Sequence, residues 1–420
     1  MLVVMQQHSR AYPIRFTWLF ALAALSLMTG CDRGEPKGVL RFAHFWSEPA
    51  QRSAMDSLLA GFHREHPEIS IEVTELSWAD GKTKLMIGFN SNTAPDVLEL
   101  GSDWVAQFSA SGVLQALDSG ATAARFRERL AAASSYAVPS GSWAGRPYAL
   151  PWMLDTRVLY MNRDRLLKAG IADSIVTSNR LDLATLRSLA RAPGVGIAVN
   201  GPDQHRLYKK VLPYVWSFGG DLFGPRGEPT MERPENVQAL EYYVDQLNGG
   251  QLGSQKELDE AFVRGSLGFC YSGSWLLPRL SKASFRWSTV RFPGSVPGAG
   301  YSFAGGEYLA MNASSAMKPQ AAVFLEYMTR PENELRFARA VNMFPADVPS
   351  QRDTFYQHRR EGSVFSEQLA HAKMTPVIPQ WLDIEAIIED EVSKALYHTE
   401  TPREALHQMQ LRSVRRMAEP

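Results

Sequence analysis

The chain has little cysteine and lacks the motifs of the common enzyme classes. Its 420 residues include only two cysteines, Cys31 and Cys270. No Walker-type phosphate loop, His-Glu-x-x-His, Cys-x-x-Cys or Gly-x-Ser-x-Gly occurs. These absences leave no zinc, P-loop or serine-hydrolase chemistry to assign, and we expect neither a metal nor a cofactor. Cys270 lies in an apolar, strand-like segment, so we predict a buried thiol; a reactive thiol is the alternative.

The chain also lacks an excess of charge of either sign. Its 44 Lys and Arg residues equal its 44 Asp and Glu residues. Residues 1–30 hold two arginines and no acid, so their removal leaves a net charge of −2. This balance gives no electrostatic reason to expect a nucleic acid or an anionic membrane surface as partner. After residue 30, no apolar run approaches the roughly 20 residues of a membrane span.

The amino terminus is typical of a bacterial lipoprotein signal. Arg10 and Arg15 precede an apolar run, Phe16–Met28, and the lipobox Leu27–Cys31 follows. We therefore predict a signal peptide over residues 1–30, acylation of Cys31, a tether over 31–38, and a body held outside the cytoplasm on the membrane. An ordinary signal peptide or a short uncleaved anchor is the alternative.

The rest of the chain has the pattern of an α/β protein. Residues 31–420 exceed the size at which single cores usually stop growing, which predicts two domains. Val39–Phe45 is typical of a strand, and an amphipathic helix around residues 55–62 and an alternating strand around 69–73 follow. Strand, helix and strand in this order favour a βαβ unit. Apolar helical faces recur at residues 240–247 and 384–392.

Ten tryptophans are the most informative residues present. An indole can cover the apolar face of a sugar ring while carboxylates bind its hydroxyl rim, so the combination suits a carbohydrate cleft. Core packing is the alternative for any one of them, because tryptophan is buried on average. Those with polar, proline or glycine neighbours are Trp46, Trp143, Trp152, Trp216, Trp275 and Trp381.

Eight short motifs, taken in order, resemble those of the family 1 extracellular solute-binding proteins of ABC importers, the maltose-binding-protein-like group. The resemblance runs from about residue 39 to 410, and it departs from the commonest pattern only mildly, at Met161 and Arg163. The motifs are Ala94–Val97, Tyr148–Trp152, Leu159–Asp164, Trp216–Asp221, Gly273–Trp275, Gly305–Glu307, Phe324–Met328 and Pro379–Trp381.

The resemblance implies a two-lobed, type II periplasmic-binding-protein fold of the α/β class, with hinge strands and a cleft between the lobes. We expect a first lobe at 39–149 plus 304–330, a second at 150–303 plus 331–410, and a tail at 411–420. The implied ligand-binding residues are Trp46, Glu48, Asp103, Trp152, Asp155, Tyr214, Trp216, Trp275, Gly305, Gly306, Glu307 and Trp381.

The function implied is binding without catalysis. The protein would bind a sugar, favoured as a di- or oligosaccharide, and deliver it as a monomer to ABC permease subunits. Asp32 resembles an inner-membrane retention signal of some Gram-negative lipoproteins, which would place the protein on the periplasmic side.

Three alternatives remain open at this point. The aromatic and acidic positions favour a neutral sugar, but Arg157 keeps glycerol phosphate or another phosphorylated polyol possible. A ligand-sensing lipoprotein would have the same cleft. A carbohydrate-active enzyme would need two carboxylates flanking a bond, and Glu48, Asp103, Asp155 and Glu307 could supply them.

Overall fold

The computed structural model describes residues 38–120, 122–174, 181–203, 205–298, 300–357 and 360–418. The predicted signal peptide, Cys31 and all but the last residue of the predicted tether lie outside these ranges. None of the helices in the described part of the chain combines the length and apolarity that crossing a membrane requires.

Strands and helices alternate along most of the described chain. The strands are β1 Val39–His44, β2 Ser70–Glu75, β3 Val97–Gly101, β4 Ser142–Trp143, β5 Arg146–Pro147, β6 Ala149–Asn162, β7 Ile197–Asn200, β8 Gly250–Gly253, β9 Phe269–Gly273, β10 Trp287–Val290, β11 Ser302–Met311, β12 Phe344–Pro345 and β13 Ala372–Lys373.

The helices differ widely in length. They are α1 Pro49–Glu65, α2 Gly81–Asn90, α3 Val105–Ala110, α4 Thr122–Ala132, α5 Arg163–Lys168, α6 Leu183–Ala190, α7 Tyr208–Ser217, α8 Pro234–Asp245, α9 Gln255–Val263, α10 Leu277–Leu280, α11 Lys318–Met328, α12 Pro331–Val341, α13 Val348–Gln351, α14 Thr354–Gln357, α15 Arg360–Leu369, α16 Trp381–Leu396 and α17 Pro402–Ala418.

The first lobe begins with the predicted βαβ unit. β1 pairs in parallel with both β2 and β3, and α1 connects β1 to β2. Proline at the first position of α1 suits the helix because its φ is preset and its missing N–H would be unbonded there. Met55, Leu58 and Phe62 of α1 are buried, as their spacing predicts.

One long strand joins the two lobes. β6 is buried along its whole length. Its first part, up to Thr156, pairs with β11, and from Arg157 onward it pairs with β9. The main path of the sheet has the order β2-β1-β3-β11-β6-β9-β7-β8. The sheet thus passes from one lobe to the other through β6 and β11, and the prediction of a two-lobed α/β fold with hinge strands is confirmed.

The helices that follow the expected boundary at residue 330 contact elements of the first lobe. α12 packs against α1, and Phe337 of α12 stacks on Trp152 with ring centroids 4.8 Å apart. Beyond α12, the Gln351 amide donates to the hydroxyl of Ser134 at 2.9 Å. These contacts keep α12 and α13 with the first lobe, so we propose that the third crossing follows α13.

Residues 411–418 of the predicted tail belong to α17. α17 continues to Ala418, and Ser413 is buried against its neighbours. The extension follows from packing, since α17 lies against α16 and α8.

Candidate functional site

The crossing strands bring together an aspartate, an arginine and a glycine. Asp155 and Arg157 lie on β6, and Gly305 of β11 faces Asp155. Asp155 Oδ2 is 3.0 Å from Arg157 Nη1, and each side chain is 9% exposed. A Cβ on Gly305 would lie 2.7 Å from Asp155 Oδ1, so glycine makes room for the carboxylate. The predicted positions Asp155 and Gly305 therefore share one buried polar group.

A second carboxylate joins the two lobes. Asp103 follows β3 in the first lobe and is 5% exposed. It accepts a hydrogen bond of 2.7 Å from the hydroxyl of Tyr208 and lies 3.6 Å from Lys209 Nζ, both on α7 of the second lobe. Burial, reinforced by Asp103, raises the pKa of Tyr208 well above its ordinary value. Tyr208 is thus a donor, and its bond to Asp103 links the lobes.

Carboxylates of α16 support the start of α7. Glu389 accepts hydrogen bonds from the backbone N–H groups of His205 and Leu207, both at 3.0 Å, and Glu385 pairs with the His205 ring. Burial raises the pKa of Glu389 to about 7, with the nearby Glu385 adding to the effect. Lys82 of the first lobe interacts with this group electrostatically: burial lowers the pKa of Lys82, and the charge of Glu385 opposes the shift.

Three cations lie against aromatic rings beside the crossing. The Arg157 guanidinium is 5.3 Å from the centre of the Trp275 ring and 5.0 Å from that of Phe303. Lys209 is 5.5 Å from Phe303, and Lys210 is 6.0 Å from Trp275. These are cation–π distances. Each of the three cations therefore lies against the ring of Trp275, of Phe303 or of both.

Trp275 is held in place by its neighbours. Its indole N–H donates to Asp259 Oδ2 at 3.0 Å. A Cβ on Gly273 would lie 1.9 Å from the Trp275 ring, so the ring can rest there only over a glycine. Trp275 is partly exposed, in contrast to Trp152 and Trp381.

Other predicted residues border this region. Glu307 on β11 lies opposite Met153 of β6, and burial, with Asp155 contributing, raises the pKa of its carboxyl well above the ordinary value. Gly306 allows close approach, because a Cβ there would lie 2.6 Å from the Met153 carbonyl oxygen. Trp381 at the start of α16 packs edge-on to Tyr208, with centroids 5.4 Å apart. It is 1% exposed and supports Tyr208 from behind.

Two predicted tryptophans lie in the core of the first lobe. Trp152 has no exposed surface, and its indole N–H donates to the Met328 carbonyl at 3.2 Å. Trp46 packs edge-on to both Trp152 and Phe337. Their packing partners are distant in sequence, which explains why the local pattern did not reveal the core position. We leave both out of the proposed site.

Three further predicted residues take no part in the contacts described above. Tyr214 is buried in the second lobe, where its hydroxyl donates to Gln246 at 3.2 Å. Trp216 is buried, with the Lys373 ammonium 5.8 Å from its ring. Glu48 is exposed at the start of α1, where it is the N-cap residue.

The sequence did not single out Tyr208, Lys209, Lys210, His205 or the α16 carboxylates. One signal was available: two consecutive lysines occur near the start of α7, a helix that is otherwise mainly apolar. Among the described residues, no cluster of three or more His, Cys, Asp or Glu side chains could hold a metal ion.

Comparison with known proteins agrees with this architecture. A lipoprotein of Streptomyces antibioticus is 26% identical over 406 residues, covering 86% of this chain and 85% of the relative. The maltodextrin-binding protein of Bacillus subtilis is 21% identical, covering 82% and 84%. The GacH receptor of Streptomyces glaucescens, whose structures include a complex with acarbose, superimposes with a TM-score of 0.81 at 21% identity, covering 92% of this chain and 100% of the receptor.

The model of one protein family matches residues 46–335, which is more than half of the chain. The family and the fold are those of binding proteins, and the relatives named above include a maltodextrin-binding protein and a receptor whose structures include an acarbose complex. The chain therefore belongs to the bacterial extracellular solute-binding protein family.

Proposed function

We propose that this chain is the extracytoplasmic substrate-binding lipoprotein of an ABC importer. It binds a sugar, favoured as a di- or oligosaccharide, between its lobes and delivers it to a membrane permease. The contact that supports this most directly is the bond between Asp103 of the first lobe and Tyr208 of the second, beside the partly exposed Trp275. The sugar-binding relatives support the ligand class.

The proposed mechanism is closure of the lobes around the ligand. A ligand favours the closed form only if it gains contacts in that form, so it must touch both lobes. Asp103 offers an acceptor for sugar hydroxyls, and the Tyr208 oxygen can accept a further hydrogen bond while its O–H is donated to Asp103. The Trp275 ring offers an apolar surface. Closure by hinge motion would take place at β6 and β11, where the lobes are joined.

Acylation of Cys31, which lies outside the described residues, is the proposed anchor. It would hold the binding protein close to its permease and raise its effective concentration there. The protein would be extracted from membranes in detergent and digested, and mass spectrometry would detect the lipid mass on its amino-terminal peptide.

Thermal unfolding of the full-length protein in detergent tests the binding proposal. We would screen glucose, maltose, trehalose, cellobiose and sorbitol. A ligand at 100 times its Kd stabilises the folded state by about 2.7 kcal/mol. We expect a saturable shift with at least one sugar, and loss of that shift in Asp103→Asn and Trp275→Ala.

Glu48→Gln supplies the comparison, because it makes the same carboxyl-to-amide change at an exposed predicted residue that we leave out of the proposed site. It should keep the full response. A shift that survives in Asp103→Asn but disappears in Glu48→Gln would contradict the proposed location of the site.

A further inference from the structure

The cations beside the crossing have more hydrogen-bond donors than partners. Lys210 is 2% exposed, and its Nζ makes no hydrogen bond to any described residue. The Nε and Nη1 atoms of Arg157 likewise make none, since the ion pair with Asp155 lacks hydrogen-bond alignment. An ammonium has three N–H donors and a guanidinium five. Buried donors without acceptors are costly, so their retention requires an explanation.

Asp155 pairs with Arg157 without a hydrogen bond, and two other nearby carboxylates bond to other donors. Asp259 accepts from the Gln255 amide at 2.6 Å, the Ser272 hydroxyl at 2.8 Å and the Trp275 indole at 3.0 Å. Asp103 accepts from Tyr208 across the lobes. Asp259 and Asp103 therefore bond to other groups, while Arg157 and Lys210 keep N–H groups without hydrogen-bond partners beside the Trp275 ring.

A purely structural role does not explain the lysine. Cation–π contact with Tyr271, at 5.1 Å, and Trp275 offsets part of its desolvation. An apolar side chain of similar size would nevertheless fill the same space without an unpaired charge, and such replacements of buried charges are often neutral or stabilising.

The cations also lie beside the contact between the lobes. Phe303, at the start of β11, has Arg157 on its ring at 5.0 Å and Lys209 at 5.5 Å. Lys209 reaches Asp103 of the first lobe. Arg157 and Lys209 therefore lie against the same ring, and Lys209 also contacts the first lobe. Separation of the lobes would uncover this side of the second lobe.

We propose that Arg157 and Lys210, flanked by Lys209, form a subsite for an anionic group on the transported sugar or polyol, either a phosphate or a carboxylate. This inference rests on the proposed function, because it concerns the same cleft. Oxyanions accept the charge-assisted hydrogen bonds that these cations leave unmade. Because Arg157 lies against the Trp275 ring, an anionic group bound to Arg157 would place the attached sugar ring beside Trp275.

Ligand binding should then change the protonation of Lys210. Burial, reinforced by Arg157, lowers its pKa to about 7. The charged and titratable groups that act on it are Arg157 and Asp155 of β6, Asp259 of α9 and Cys270 of β9. A bound anion would favour the ammonium form, so binding at pH 8 should take up a proton.

Calorimetric titration of the full-length protein in detergent tests the subsite. We would compare glucose, glucose 6-phosphate and glucuronate, trehalose and trehalose 6-phosphate, and glycerol 3-phosphate. Titration at pH 8 in buffers of different ionisation enthalpy measures the proton uptake. We expect an anionic compound to bind at least tenfold tighter than its neutral counterpart, with proton uptake. The phosphate and carboxylate arms distinguish the two sources of charge.

Two variants of Lys210 connect the result to this residue. Lys210→Met should abolish the proton uptake and the preference for the anion, whereas Lys210→Arg should keep a preference. Lys256→Met, on the exposed face of α9, is the matched control and should change neither.

Equal or tighter binding of the neutral compounds would overturn the subsite and leave the proposed sugar-binding function intact. An anion preference that is unchanged in Lys210→Met would also overturn it. Absence of binding by every compound in both panels would overturn the subsite and the proposed function together.

Discussion

Replacement of Lys210 by methionine should stabilise the protein while it damages the proposed site. The structure buries the Lys210 ammonium without a hydrogen-bond partner among the described residues. Burial, followed by the charge of Arg157, lowers the Lys210 pKa from 10.5 to about 7. At 1.36 kcal/mol for each tenfold change, this corresponds to a cost of about 5 kcal/mol for the charged form in the folded state.

The size of the gain should depend on pH. Below pH 7 both states hold the proton, so the folded wild type bears the full cost. Between pH 7 and 10.5 the folded state has released a proton that the unfolded state still binds, and wild-type stability rises. The advantage of Lys210→Met should therefore be about 5 kcal/mol at pH 6. It should shrink toward the about 1–3 kcal/mol cost of an unsatisfied neutral amine near pH 10.5.

Urea unfolding of the ligand-free protein at pH 6, 8 and 10, followed by tryptophan fluorescence, measures this difference. Lys256→Met is the control for removal of a lysine and should stay within about 0.5 kcal/mol of wild type at each pH. A Lys210→Met variant less stable than wild type at every pH would refute the reasoning, because it would mean that the lysine contributes to the ligand-free fold.

Three other substitutions test separate parts of the structure. Tyr208→Phe should weaken sugar binding about 10- to 150-fold in titration calorimetry, because Asp103 loses a hydrogen bond to a charged group, worth about 1.5–3 kcal/mol. Trp152→Ala should cost about 3–5 kcal/mol in urea unfolding, as a large core side chain does, without changing the affinity of the folded protein. Glu99→Gln should stabilise the protein by up to about 5 kcal/mol at pH 8.5 and little at pH 5. Burial raises the Glu99 pKa from 4.5 to about 8, so the wild type loses stability as pH rises through this range.

For each of these three substitutions, one result would contradict the reasoning. Unchanged affinity in Tyr208→Phe would show that the bond between the lobes does not contribute to the bound state. Loss of affinity in a folded Trp152→Ala protein would return Trp152 to the ligand site. A Glu99→Gln effect that is the same at pH 5 and 8.5 would mean that the carboxyl does not titrate as its burial requires.

The sequence predicted the parts of the fold that depend on local pattern. The βαβ unit at the start of the first lobe is confirmed. So are the apolar face of α16, where Ile384, Ile388 and Val392 are buried, and the buried thiol of Cys270. In each case the alternation or spacing of apolar residues already reflects which side faces the core.

The composition of the site was less accessible from sequence. Trp152 and Trp275 both have short polar or turn-forming neighbours, yet one is stacked on Phe337 and the other is partly exposed. Only packing between distant segments distinguishes them. Lys210 was missed for a related reason: a lysine in a helix is usually solvated, and no local pattern shows that α7 turns this one toward the interior.

The shared strand β6 has a consequence for how the protein unfolds. Because its first half belongs to one lobe and its second half to the other, neither lobe has a complete sheet without it. Proteolysis between the lobes should therefore not release two stable fragments. A destabilising substitution in either half of β6 should lower the stability of both lobes. We therefore expect the continuous ladder of backbone hydrogen bonds through β6 to limit how far the lobes rotate against each other, and we expect both lobes to unfold in a single transition.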